Sequence, residues 1–293
     1  MIDREVFGKG EAALIDRKLE QFPYVPGEPV EVATEEFQRY HAAFMREYFY
    51  VLRKMFHTFA FDMKEFAVDF HGARINSFIR ALTWLTYVQT IVYEMDIIIE
   101  REPLDQQTTG PDLDLVAERI LSFLRDHDLL DGEIQRCVEE VVTYLKRERR
   151  DLKGKAEYSV EEILATLNLK SADLEMLRRI LLRVLDIEPD PGEMAIFKRI
   201  DRVREVFDDI RDYQEDLEIA NFNTVIFLQK IGGKMNRGAA VLHRFLAQEL
   251  KAIAEQIASF DPDRREAFEA IYRRLEKEHE YFLEELSTIP SAV

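Results

Sequence analysis

Apolar residues recur every three or four positions along most of this 293-residue chain, and no stretch alternates strictly between polar and apolar residues. A period of three to four is typical of an amphipathic α-helix, whereas strict alternation is typical of a β-strand. The 11 Gly and 9 Pro residues are few, and most of them lie in short clusters between the periodic stretches. The pattern predicts an all-α protein that folds as a single large helical bundle.

The clusters of Gly and Pro also predict where the helices begin and end. Residues 1–33 are expected to form an N-terminal arm, a short helix followed by an extended Pro-rich segment, and residues 34–293 a single all-α domain. The predicted helices cover 34–72, 74–101, 113–128, 131–152, 159–168, 171–186, 191–217, 222–248 and 262–287. A chain of this length buries enough surface to fold without a disulfide or a structural metal.

The net charge and the cysteine content of the chain restrict its possible binding partners and its cellular compartment. The 57 acidic and 40 basic residues give a formal net charge of −17. Binding of DNA or RNA depends on Lys and Arg that neutralise phosphates, so a nucleic-acid partner is not expected. Cys137 is the only cysteine, which excludes an intramolecular disulfide. With no secretory signal in residues 1–30, a cytoplasmic location is expected.

The most apolar stretch, residues 81–93, is too short to cross a bilayer, which requires about 20 apolar residues. Peripheral contact with a membrane is left open, because no segment clearly encodes it.

A helix predicted from Ser77 to Arg101 is apolar nearly all the way round, which is typical of a buried helix. A stripe of polar residues follows one side of it, at steps of three or four: Thr83, Thr86, Gln89, Tyr93, Asp96 and Glu100. Buried polar groups need a polar partner, water or a ligand. Asp96 and Glu100 would therefore place two carboxylates at one end of the stripe. The alternative is that this end emerges into solvent before residues 102–114.

A second acidic helix is predicted within residues 200–223. Its apolar face lies opposite six carboxylates, which are those of Glu205, Asp208, Asp209, Asp212, Glu215 and Asp216. Asp208, Asp212 and Asp216 follow one another at intervals of four, so they would stack along one side. Near another acidic helix they would attract Mg²⁺, which binds a few carboxylates and completes its shell with water and phosphate oxygens. The alternative is a solvated acidic face on a surface helix.

Basic residues follow the second acidic helix directly. Lys230, Lys234 and Arg237 are spaced four and three residues apart, beside Gly232 and Gly233. They are candidates to receive an anion. A basic stripe on a surface helix would have the same spacing.

Residues 210–216, which read IRDYQED, resemble the second aspartate-rich motif of the squalene/phytoene synthase family, N-I-x-R-D-x-x-E-D. The sequence from Asp96 to Glu100, DIIIE, is similar to the first motif, D-x-x-x-D, and Asp96 and Asp212 are 116 residues apart (212 − 96). The sequence DDIRD from Asp208 to Asp212 also resembles the D-D-x-x-D motif of the related chain-elongating polyprenyl synthases.

The resemblance implies a class I isoprenoid synthase fold, all-α with a central cavity, and a Mg²⁺-dependent transferase that acts on prenyl diphosphates. It implies that Asp96 and Glu100 bind Mg²⁺ from one wall of the cavity. Asp208, Asp212 and Asp216 would bind Mg²⁺ from the other wall, with Arg211 beside the diphosphate. Asp96, Asp212 and Arg211 would then be the catalytic residues, and Lys230, Lys234 and Arg237 would assist Arg211 in binding the diphosphate.

The chain also departs from the family pattern. Glu100 stands where Asp is usual, Asp208 stands where Asn is usual, and the Ser-x-Ser-Phe and Gly-x-Val-Gly elements are missing. Two alternatives therefore stay open: a non-catalytic relative with the same fold, and a non-enzymatic helical protein whose acidic face meets solvent or a partner. The transferase hypothesis requires that Asp96 and Asp212 face a common interior space.

Overall fold

The structure, a computed structural model, describes residues 55–101, 113–152, 158–219, 222–232 and 235–289. All regular elements in these ranges are helical, and none is a β-strand. The all-α prediction is therefore confirmed for the described part of the chain. The predicted arm at 1–33 and its boundary with the domain lie outside the described residues.

The described chain begins with a π-helical segment and continues through ten α-helices. The π-helical segment consists of two runs, Thr58–Met63 and Glu65–Phe70. The α-helices are α1 (Ile75–Arg101), α2 (Leu113–Asp126), α3 (Gly132–Leu152), α4 (Val160–Lys170), α5 (Ala172–Val184), α6 (Pro191–Arg211), α7 (Tyr213–Ile219), α8 (Thr224–Gly232), α9 (Met235–Ile257) and α10 (Pro262–Thr288).

Local sequence explains where several helices begin. The Ser159 side chain accepts a hydrogen bond from the backbone N–H of Glu162, and the Glu162 carboxylate accepts one from the backbone N–H of Ser159. This reciprocal cap starts α4. Asp190 caps α6 and is followed by Pro191, whose missing N–H costs nothing in the first turn. Asp261 caps α10 in the same way.

Two predicted helices are each divided in the structure. The helix predicted over 191–217 is interrupted at Asp212, whose ψ of 8° departs from the helical value, so α6 ends at Arg211 and α7 follows at once. The helix predicted over 222–248 contains the end of α8 at Gly232 and the start of α9 at Met235. Gly has low helix propensity, which accounts for an end at this position.

The predicted helix 34–72 is described only from residue 55, and there its hydrogen bonding is largely π-helical rather than α-helical. A π-helix forms hydrogen bonds between residues i and i+5 and is rare, so a periodicity of three to four residues predicts the α-helical form instead.

Helix α1 packs against α2, α3 and α5, and α6 packs against α9, α10 and α5. Leu85, Val88 and Met95 of α1 are fully buried, as its apolar content predicts. Its outer side is exposed, however, at Ile79 and Tyr87. Helix α8 packs against α4, α6 and α9, and thereby closes the end of the bundle at which α6 terminates. Among the described helices, none has both the length and the apolar content that crossing a membrane requires.

Candidate functional site

Part of the polar stripe of α1 faces solvent, and part of it faces the interior of the protein. Thr83 and Thr86 are exposed, whereas Gln89 is completely buried and its Nε2 donates to Asp173 Oδ2 of α5 at 3.0 Å. Asp96, two turns beyond Gln89, is partly buried. The part of the stripe that contains the predicted ligand therefore lies at the interior side of the bundle.

Tyr144 of α3 is partly buried and lies close to acidic side chains of several helices. Its hydroxyl donates to Glu148 Oε1 at 3.0 Å. Burial raises the pKa of the Tyr144 phenol well above its usual value, and the carboxylates of Glu148, Asp96, Asp209 and Glu205 raise it further. Carboxylates from both α1 and α6 are therefore near enough to this phenol to influence its ionisation.

The carboxylates of α6 that face this region are those of Glu205 and Asp209. The Lys170 ammonium, at the end of α4, lies 2.6 Å from Asp209 Oδ1 and 3.2 Å from Glu205 Oε2. Asp209 is only 1% exposed, and its second oxygen accepts a hydrogen bond from the backbone N–H of Thr224 at 2.9 Å. Burial raises the pKa of Glu205, although the attraction of Lys170 opposes this shift.

Asp208 and Asp212 lie further out and share Arg211. The guanidinium nitrogens of Arg211 lie 2.6 Å from Asp208 Oδ1 and 3.2 Å from Asp212 Oδ1. The side chains of Asp208 and Asp212 are 47% and 46% exposed, and that of Arg211 is 57% exposed. Partial burial raises the pKa of Asp208, whereas the Arg211 guanidinium lowers it. These three residues form a charged, solvent-accessible group at the end of α6.

Asp216 is separated from this group by the interruption at Asp212. Its Oδ2 accepts a hydrogen bond from Nδ2 of Asn223 at 2.8 Å. The same Asn223 caps α8, because its Oδ1 accepts from the backbone N–H groups of Val225 and Ile226. Asp216 is thus tied to the start of α8.

The remaining predicted site residues are described only in part. Glu100 lies in the last turn of α1, but its side chain is outside the described residues, as is that of Arg237 in α9. Lys234 is outside the described residues altogether. Lys230 is exposed, and its Nζ lies 4.8 Å from the centroid of the Phe227 ring. The predicted grouping of the three basic residues therefore stays a prediction.

The carboxylates have the donor chemistry that Mg²⁺ prefers. Within the described ranges, however, no three Asp, Glu, His or Cys side chains are arranged so that they could hold a metal ion. Arg211 instead spans Asp208 and Asp212, and Lys170 spans the inner carboxylate pair. The described residues thus supply suitable oxygen donors without forming a complete ion site by themselves.

Two residues of this region, Lys170 and Tyr144, were not among the predicted site residues. Lys170 is two residues beyond the predicted end of its helix and 39 residues before Asp209 (209 − 170), so no local spacing indicates the contact. Tyr144 offers a weak signal: it is an aromatic residue four positions before Glu148 in a helix that is otherwise strongly basic at its end. No family model, no curated protein and no solved structure matches the chain.

Proposed function

We propose that this chain is a transferase that acts on a prenyl diphosphate, in the manner of the squalene/phytoene synthases. Its active site would lie where the acidic ends of α1 and α6 converge. The observation that carries the proposal is the half-exposed group of Asp208, Arg211 and Asp212 at the end of α6, which combines two carboxylates with a guanidinium. Carboxylates that can hold a cation beside a guanidinium suit the binding of a diphosphate.

The charged group at the end of α6 supports a role in binding an anion. Arg211 is half exposed and is held by Asp208 and Asp212, so its guanidinium is oriented before any substrate arrives. A planar guanidinium binds phosphate oxygens through paired hydrogen bonds. Arg211 is therefore the residue that would contact the diphosphate and offset the negative charge that accumulates on it as it departs.

Buried apolar residues of α1 and α8 support the second requirement of the chemistry, which is a site without water. Val88 and Val92 lie in α1, Val225 lies in α8 and Phe222 precedes this helix, and all four are buried. An allylic cation formed by loss of diphosphate survives only where water is excluded. Apolar side chains beside the acidic ends would shield the reacting carbon, while the diphosphate stays at the charged end.

Mg²⁺ belongs to the proposal as an ion that binds together with the substrate. It commonly takes one or two carboxylates from the protein and completes its coordination with phosphate oxygens and water, so a preformed protein site is not required. Asp208 and Asp212, the accessible carboxylates at the end of α6, would hold it together with Asp96. Bound Mg²⁺ would supply positive charge next to the departing diphosphate.

The test is an incubation of the full chain with farnesyl or geranylgeranyl diphosphate and Mg²⁺, with release of pyrophosphate and the lipid product as readouts. Replacing Asp212 by Asn should lower the rate about 100-fold or more, in line with the loss of an electrostatic group from an active site. Glu215→Gln is the matched control, because Glu215 is an exposed carboxylate of the same acidic stretch. Release that does not depend on Mg²⁺, or an unchanged rate in Asp212→Asn, would contradict the proposal.

A second candidate function follows from the ion pairs themselves. Lys170 and Arg211 already neutralise carboxylates of α6, as they would in a non-catalytic helical protein that uses this stretch to hold its helices together. In that case neither diphosphate would be turned over, and neither would raise the melting temperature in the presence of Mg²⁺. Stabilisation by diphosphate and Mg²⁺ without turnover would instead indicate a non-catalytic relative that retains binding.

A further inference from the structure

Lys170 is the last residue of α4, and its side chain reaches across to α6. Its ammonium contacts two carboxylates one helical turn apart, at 2.6 Å on Asp209 and 3.2 Å on Glu205. The side chain is only 20% exposed. This is a bridging arrangement, in which a single positive charge lies between two oxygen donors.

The Lys170 ammonium compensates negative charge that is buried around it. Glu205 and Asp209 are 16% and 1% exposed, so neither carboxylate can rely on water for its solvation. Removing one partner of a buried ion pair leaves an uncompensated charge, which costs several kcal/mol. Asp208 adds a third negative charge nearby, although it also has Arg211.

We infer that Lys170 is a tethered counter-cation, whose ammonium takes the position between Glu205 and Asp209 that a divalent ion would otherwise occupy. The inner carboxylate pair is therefore closed to external metal ions, and Asp208 and Asp212 are left as the accessible carboxylates at the end of α6. Although burial opposes the charged form, the carboxylates of Asp209 and Glu205 raise the pKa of Lys170 well above its usual value. The ammonium consequently stays charged at neutral pH.

The inference stands whether or not the chain turns over a prenyl diphosphate, because it concerns the free protein and is tested without substrate. A chain with no transferase activity can still satisfy it, and an active transferase can still fail it. The two proposals are therefore separable by experiment.

The experiment replaces Lys170 by Met in the full chain, which removes the ammonium and keeps a side chain of similar length. Melting temperature is measured in EDTA and in millimolar Mn²⁺ or Mg²⁺, and Mn²⁺ affinity is measured by titration calorimetry. We expect Lys170→Met to melt below the wild type in EDTA, to recover stability with Mn²⁺, and to bind Mn²⁺ at least tenfold more tightly than the wild type. Equal Mn²⁺ affinity in the two proteins would overturn the inference.

Lys198→Met is the matched control. Lys198 also bridges two carboxylates, at 2.9 Å on Glu175 and 3.4 Å on Glu140, but both of these keep Arg136 as a further partner. Its replacement should not create an affinity for Mn²⁺.

A double variant covers the case in which Lys170→Met does not fold. Lys170→Met combined with Asp209→Asn removes one negative charge together with the positive one and keeps an acceptor for the Thr224 N–H, so it should be more stable than Lys170→Met in EDTA and should respond less to Mn²⁺. If the double variant gained nothing over Lys170→Met, the loss of stability would not arise from unpaired charge, and the inference would be wrong.

Discussion

Arg178 and Asp201 form a two-point ion pair in the interior of the bundle. The Nη2 atom of Arg178 donates to Oδ1 of Asp201 at 2.8 Å, and its Nη1 atom donates to Oδ2. Both side chains are almost completely buried. The guanidinium carbon also lies 5.0 Å from the centroid of the Phe197 ring. Because Arg178 belongs to α5 and Asp201 to α6, the pair fixes how these two helices face each other.

The first prediction is that Arg178→Met lowers the free energy of unfolding by about 3–5 kcal/mol, because it leaves the Asp201 carboxylate buried without a partner. Replacing Asp201 by Leu in the same chain should restore much of this loss, since a buried ion pair is often replaceable by apolar groups. Urea unfolding followed by circular dichroism measures both effects. Arg125→Met is the control, because Arg125 and its partner Glu118 are more than half exposed. Equal losses in Arg178→Met and Arg125→Met would contradict the prediction.

The second prediction concerns Asn223, which holds three elements together. Its Oδ1 caps α8, and its Nδ2 donates to Asp216 Oδ2 and to the backbone carbonyl of Asp209. Asn223→Ala should therefore destabilise the protein by about 1–3 kcal/mol, the sum of a lost cap and unsatisfied buried groups. The midpoint of urea unfolding measures this loss.

Asn223→Asp separates the two functions of this side chain. It keeps the acceptor for the cap but loses the donor and adds a negative charge beside Asp216. We expect it to be at least as destabilising as Asn223→Ala. A milder effect would mean that only the cap matters.

The helical architecture is predictable from the sequence because it follows from local periodicity and from capping residues such as Ser159 and Asp190. The interruption at Asp212 is not predictable in this way. The backbone N–H of Asp212 still bonds to the Asp208 carbonyl, and that of Asp216 bonds to the Asp212 carbonyl. The backbone therefore stays nearly helical across the interruption, and the spacing of apolar and acidic side chains does not change there.

The sequence predicts which carboxylates belong to the site, but it does not predict which cation each of them pairs with. A helical projection places Glu205, Asp208, Asp209 and Asp212 on one face, and it cannot tell which of them turn inward. Which carboxylates turn inward depends on where α4 ends. Lys170, at the end of α4, forms ion pairs with Glu205 and Asp209, although it is far from both in the sequence. Long-range contacts of this kind leave no local signal.

The third prediction concerns the thiol of Cys137, which is fully buried in α3. Burial and, to a lesser extent, the nearby Glu175 carboxylate raise its pKa from 9.0 to about 12. Since the thiolate is the reactive form, its population at neutral pH is about a thousandfold lower than that of an ordinary cysteine. Ellman's reagent should therefore react with the folded protein only as fast as the protein opens. In urea above the unfolding transition, reaction should be rapid and stoichiometric.

Rapid labelling of Cys137 under native conditions would contradict this expectation. Labelling with iodoacetamide followed by peptide mass spectrometry identifies the site without ambiguity, because no other cysteine is present.

The fourth prediction is a loss of stability in mild acid that arises from His71. Its imidazole packs edge-on against the rings of Phe66 and Phe70, at centroid distances of 4.7 and 5.0 Å. Burial and, to a lesser extent, the positive charge of Arg264 together lower the pKa of His71 from 6.5 to about 4. Between pH 4 and pH 6.5 the unfolded chain therefore binds more protons at this position than the folded protein. The contribution of His71 to stability is complete above pH 6.5 and is lost as the pH falls towards 4.

The ionisation of Glu193 changes the stability of the protein with pH in the opposite direction, so its effect must be separated from that of His71. It lies 3.7 Å from His71 and 2.9 Å from Arg264, and burial raises its pKa, so the folded protein holds this proton more tightly than the unfolded chain. The difference between the wild type and His71→Phe isolates the histidine, because phenylalanine keeps the ring contacts and cannot titrate. Urea unfolding at several values of pH should show that the wild type loses more stability than His71→Phe between pH 6.5 and pH 4. Parallel losses in the two proteins would show that His71 titrates equally in the folded and unfolded states.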